Sequence, residues 1–111
     1  MHILFRTKKM ARVFDSQTLL VQVYGLENAR LIMRRMSVLN AVPSLAEVPA
    51  TPPERRHQLK GDRAGKFAVD LKHPYRLVFA PVGDPVPLLA DGGYDLARIT
   101  AIEILAVEDY H

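Results

Sequence analysis

Two short stretches of this chain gather the side chains that proton transfer and anion chemistry need. His57-Gln58-Leu59-Lys60-Gly61-Asp62-Arg63 brings together imidazole, ammonium, carboxylate and guanidinium, and Arg76 follows soon after. Asp109-Tyr110-His111 adds a carboxylate, a phenol and a second imidazole. Imidazole titrates near neutrality and can give or take a proton, whereas Lys and Arg stay cationic where negative charge gathers. Taken singly, both stretches also have plain structural readings. His57 reads as a histidine satisfied by its neighbours, and the terminal triplet as a chain end that frays.

Other chemistries lack their residues. There is no phosphate-cradling glycine loop followed by Lys-Ser/Thr, no HExxH pair and no Gly-x-Ser-x-Gly elbow. The absence of cysteine removes disulfides and thiolate metal sites. Histidines at 2, 57, 73 and 111 show no metal-ligand spacing, so neither a metal nor another cofactor is expected. The apolar run at the N-terminus is too short for a secretory segment, and no stretch approaches a membrane span. A cytoplasmic protein is the expectation.

The elements that must position these groups follow from period and punctuation. The 111 residues are expected to form one domain, 1–111. Ile3–Arg6 suits a first strand. Thr7 offers a helix cap before Met10, Val13 and Phe14, Asp15-Ser16 a second start before Leu19, Leu20 and Val23, and Gly25 a stop. From about Glu27 to Val42, Ala29, Ile32, Met33, Met36 and Leu39 form one apolar stripe, with Arg30 and Arg34 on another face. Together these helical segments read as an antiparallel hairpin.

Pro43 to Pro53 holds four prolines and reads as a surface connection. Beyond it the period becomes two. Arg56–Lys60 suits a strand, Gly61–Gly65 a turn, Phe67–Lys72 a strand, His73-Pro74 a turn and Tyr75–Ala80 another strand. If Phe67, Val69, Leu71, Leu77 and Phe79 face the helices, then Asp70, Lys72 and Arg76 project from the opposite face. Pro81–Ala97 is a long irregular connection, and the apolar run Ile99–Val107 suits a central strand.

Charge is distributed unevenly. Of the 15 Lys and Arg, all except Arg98 lie at or before Arg76, whereas Asp84, Asp91, Asp95, Glu103, Glu108 and Asp109 follow it. This pattern fits a basic surface that meets a polyanion or an acidic partner, and equally an ordinary solvated surface.

The segment 57–63, the strand pair from Phe67 to Phe79 and the ending Glu108-Asp109-Tyr110-His111 resemble HigB-type toxins of the RelE/ParE superfamily. Those proteins carry a histidine before Leu-Lys-Gly-Asp, an aromatic-Arg pair opening the next strand, and a terminal Asp-Tyr-His. The resemblance implies an α+β, RelE-like fold, with an N-terminal strand and helical hairpin on one face of a small, mainly antiparallel sheet. It further implies the toxin of a type II toxin–antitoxin system, an endoribonuclease that cuts messenger RNA on the ribosome through the ribose 2′-hydroxyl, without metal.

The resemblance assigns catalytic positions to His57, Asp109, Tyr110 and His111, and phosphate or RNA contacts to Lys60, Arg63, Lys72 and Arg76. Either His57 or His111 carries the proton in this reading. Asp109 orients an imidazole or acts as base, and Tyr110 stacks on a base or binds a phosphate oxygen. The implied partners are the ribosome with its message and an antitoxin bearing a helix-turn-helix domain, through which operator DNA is reached. Asp70 departs from the family pattern, where a basic or neutral residue is usual, and the 81–97 connection is longer than in the shortest relatives. Two other readings stay open: a gyrase-targeting toxin like ParE, and a degenerate component that binds only the antitoxin.

Overall fold

A computed structural model describes residues 1–109. The chain opens with strand β1 (His2–Phe5) and continues into three helices, α1 (Lys8–Phe14), α2 (Gln17–Tyr24) and α3 (Leu26–Ala41). Thr7 Oγ1 accepts from Met10 N–H at 3.0 Å, and Ser16 Oγ accepts from Leu19 N–H at 3.2 Å. Each cap satisfies one of the amides that a helix start leaves without an intrahelical partner. The Asp15-Ser16 start signal therefore divides the first arm of the expected hairpin in two. Gly25, at φ 83°, ends α2 and opens α3, a conformation that a Cβ disfavours.

Four more strands complete the sheet: β2 (His57–Gln58), β3 (Phe67–Asp70), β4 (Tyr75–Pro81) and β5 (Ala101–Asp109). Their spatial order is β1-β5-β4-β3-β2, with β1 parallel to β5 and every other pair antiparallel. This is the α+β arrangement that the sequence implies, with β5 an interior strand between β1 and β4, and β4 at the centre.

The helices cover one face of the sheet. Leu20, Ile32 and Leu39 from the helices meet Phe67, Val69, Leu77, Phe79, Ile102 and Ile104 from the strands in a single buried cluster. Burying each such side chain contributes on the order of 1.5–3 kcal/mol, which dominates the attraction between the layers. Met33 and Met36 pack against the edge of this cluster, as core methionines do. On the reverse face, a smaller cluster of Leu59, Ala68 and Val78, flanked by Leu105, lies beneath the 59–66 turn.

Two local expectations are corrected. The strand expected over Arg56–Lys60 is only His57–Gln58, because Gly61 (φ 66°) leads into a 3₁₀ turn over Gly61–Arg63. Lys72 does not continue the alternation of β3, which ends at Asp70. It lies in the following turn, with its backbone N–H on Asn28 Oδ1 and its ammonium 2.7 Å from Glu27 of α3.

Candidate active site

Register decides which side chains share the reverse face, because residues directly opposite in an antiparallel pair project to the same side. His57 pairs with Ala68, Ala68 with Val78, and Val78 with Ala106. Two residues along, Asp70 pairs with Arg76, and Arg76 with Glu108. His57 therefore lies on the same face as Arg76, two strands away and one row along. Sheet spacings set their Cα atoms about 12 Å apart, a gap that a nucleotide phosphate and ribose can bridge.

A bulge in β5 puts Glu108 on this face. Val78 pairs with Ala106 but Phe79 pairs with Ile104, leaving Leu105 without an opposite residue. Ile102 and Ile104 point into the main core, and strict alternation would carry Ala106 and Glu108 to that side as well. The extra residue reverses the alternation, so Val107 packs against the core and Glu108 joins Arg76.

Glu108 receives two arginines. Arg63 Nε donates to its two carboxylate oxygens at 2.6 and 3.1 Å, and Arg76 Nη2 lies 3.8 Å from Oε1. Hydrogen bonding to Glu108 is the main cause that raises the Arg63 guanidinium above its usual pKa, followed by the Coulombic attraction of the same carboxylate. Arg76 is largely covered, at 12% side-chain exposure, whereas Arg63 is 39% exposed. Arg63 uses its Nε edge for Glu108 and directs an outer nitrogen, Nη1, toward exposed Asp62 at 3.5 Å.

The 3₁₀ turn that carries Arg63 is held from the 81–97 connection. Tyr94 packs its ring against Phe67 and donates its hydroxyl to Gly65 O at 2.9 Å. Gly65 sits at φ 88°, and a Cβ there would lie 3.2 Å from the Tyr94 hydroxyl oxygen. Within the same connection, Leu88 bridges to Tyr94 and, with Leu89, remains exposed.

His57 is half-buried, and its Nδ1 lies 2.8 Å from the carbonyl oxygen of Arg55. A carbonyl only accepts, so Nδ1 carries the hydrogen and the neutral ring keeps its lone pair on Nε2. Asp70 is bound by Arg55 through two hydrogen bonds, Nε to Oδ2 at 2.6 Å and Nη2 to Oδ1 at 3.1 Å. The carboxylate that departs from the family pattern is thus engaged by a cation beside it.

Of the residues singled out from sequence, His57, Arg63 and Arg76 share the reverse face, and Lys60 is exposed at the end of the short β2 region. Lys72 is placed at the α3 end of the sheet. Asp109 pairs with Tyr75 at the end of β5, on the other alternation from Glu108. Tyr110 and His111 lie outside the described residues. Sequence reasoning missed Glu108 and Arg55. Nothing in the local pattern signals the bulge that exposes the first or the positive φ of the second. Among the described residues no three His, Asp or Glu side chains cluster as metal ligands would. No helix among them is long and apolar enough to cross a membrane.

No protein-family model matches the chain, and no curated protein matches it in sequence. Among solved structures it is similar to a YoeB/ParE toxin from Agrobacterium tumefaciens, with a TM-score of 0.57 at 14% identity. That likeness covers 100% of both chains. The two share a fold, which in this chain is three helices on a five-stranded mixed sheet.

Proposed function

We propose that the chain is the toxin of a type II toxin–antitoxin system and cuts messenger RNA on the ribosome without a metal. The carrying observation is His57, with Nδ1 on Arg55 O and Nε2 left for proton transfer, on the same sheet face as Arg76. An imidazole and a guanidinium set apart across two strands suit attack by a 2′-hydroxyl. The proton moves at Nε2 while Arg76, Arg63 and Lys60 receive the phosphate charge. The resemblance gives Asp109, Tyr110 and His111 catalytic roles in this reading, although Asp109 alternates away from Glu108 at the strand end, and Lys72 meets RNA at the sheet margin. The toxin fold supports an antitoxin partner with a helix-turn-helix domain and, through it, operator DNA. It also supports a cytoplasmic location alongside the ribosome.

The direct experiment supplies the purified chain to ribosomes programmed with message, in the magnesium that ribosomes need to stay assembled. Fragments ending in 2′,3′-cyclic phosphate and 5′-hydroxyl are expected, because the 2′-oxygen becomes bonded to phosphorus as the 5′-oxygen leaves. Intact message contradicts the proposal.

A second reading has its own support. Arg55 is engaged by Asp70, and Arg63 and Arg76 by Glu108, so much of the cationic charge on this face is already matched by acids. That favours a gyrase-directed toxin like ParE, or a component that only binds its antitoxin. Inhibition of gyrase supercoiling with message left intact is the result that selects the first of these.

A further inference from the structure

We infer that Asp70 and Arg55 are positioning residues that fix the tautomer of His57 and so select Nε2 as its working nitrogen. The inference rests on the nuclease reading for its consequence in cleavage, but its structural part stands on its own geometry.

The backbone at Arg55 is held in a conformation that it resists. Arg55 has φ 46°, the one positive value among the described non-glycine residues. A side chain disfavours the left-handed region because its Cβ crowds the following carbonyl, so neighbouring groups must hold it there. They do so at both ends of the residue. Its N–H donates to Thr51 O at 2.9 Å, and its guanidinium grips both oxygens of Asp70. Two parallel hydrogen bonds to a carboxylate fix orientation as well as distance.

Asp70 is itself immobilised. Its N–H donates to Glu54 O at 2.8 Å, and its carbonyl receives Arg35 Nε at 2.6 Å. Arg35 belongs to α3 and is only 5% exposed, so this strand end is tied to the helical layer. The left-handed turn at Arg55 directs its carbonyl back toward the ring two residues on, where it meets Nδ1 at 2.8 Å. A series of contacts thus runs from α3 through Asp70 and Arg55 to the imidazole. Without the pair, Arg55 relaxes toward negative φ, its carbonyl turns away, and the ring proton is free to exchange between nitrogens. A role for Asp70 confined to charge neutralisation predicts no change in tautomer.

The test uses the full chain labelled with ¹⁵N-histidine and long-range ¹H–¹⁵N spectra, with the His57 ring assigned by its loss in His57→Gln. The wild-type ring is expected as a single Nδ1–H tautomer. Asp70→Ala is expected to give a tautomer mixture, and Asp70→Asn, which keeps one acceptor, an intermediate. Ribosome-dependent cleavage should fall about ten- to hundred-fold in Asp70→Ala, part of the 10²–10⁴ that an aligned acid–base contributes. If Asp70→Ala does not fold, Arg55→Lys gives the second arm: its side chain is 43% exposed, and lysine keeps the charge but loses the two-point grip. An Nε2–H ring in the wild type, or an unchanged tautomer in the folded variants, overturns the inference. A fixed Nδ1–H ring in a wild-type protein that cuts nothing supports the positioning role and sinks the nuclease reading instead.

Discussion

Arg63 and Glu108 lie 45 residues apart in the chain and meet at 2.6 Å, Nε to Oε1, on the reverse face of the sheet. The contact joins the 3₁₀ turn after β2 to the end of β5 and carries Arg76 with it. Glu108 is therefore the acid that balances two arginines of this face. In Glu108→Gln the carboxylate charge is gone while the side chain keeps its shape. Binding to heparin should strengthen, and the slope of log affinity against log salt should steepen by about one. An unchanged slope would mean that these arginines do not reach a polyanion.

The bulge at Leu105 makes a stronger demand on the fold. Inserting one alanine between Ala106 and Val107 turns Val107 outward and sends Glu108 toward the apolar core. The expected result is loss of the cooperative unfolding transition, read by circular dichroism in urea. Phe79→Ala gives the scale for ordinary core damage. Phe79 is fully buried, and its truncation should cost about 3–5 kcal/mol.

Those residues show where sequence was sufficient. The helical stripe of Ala29, Ile32 and Leu39, the alternation Phe67-Val69 and Leu77-Phe79, and the apolar run of β5 each carry their own periodicity. The layers therefore follow from local pattern alone. Asp70 and Arg76 could be placed on the reverse face because they lie on strands whose period is readable. Glu108 could not, since one unpaired residue reversed its direction and no residue type marks that position. Lys72 was misplaced because β3 stops two residues earlier, where Asp70 binds Glu54 and Arg35 instead of extending the ladder. Arg55 adopts its positive φ through tertiary contacts with Asp70, which a propensity cannot register.

The Tyr94–Gly65 contact makes the long 81–97 connection a support for Arg63. Gly65→Ala introduces a side chain at φ 88° against the Tyr94 hydroxyl and should cost about 1–3 kcal/mol. Tyr94→Phe removes only a hydrogen bond and should cost about 1 kcal/mol. Urea midpoints of the two variants, measured at constant m-value, check the order. Equal costs would assign the effect to the hydrogen bond rather than the backbone.

Tyr24 sets a pH dependence. Its ring packs edge-on against Phe14, and burial raises its phenol above the ordinary value of 10.0. The folded state therefore holds this proton more tightly than the unfolded state. Its contribution is complete below pH 10 and declines as pH rises from there through the folded pKa. Stability of the wild type should fall more steeply than that of Tyr24→Phe as pH rises above 10. Parallel curves for the two proteins would show that the phenol is not desolvated.

His57 acting as a proton carrier on translated RNA is the central proposal. The most direct measurement maps new 5′ ends on cellular messages after induction of the wild type and of His57→Ala in parallel. In-frame cuts within codons are expected for the wild type, vanishing when translation is stopped and falling about a hundredfold or more in folded His57→Ala. Cuts of equal strength in His57→Ala, or intact messages in cells that filament with damaged DNA, would contradict it.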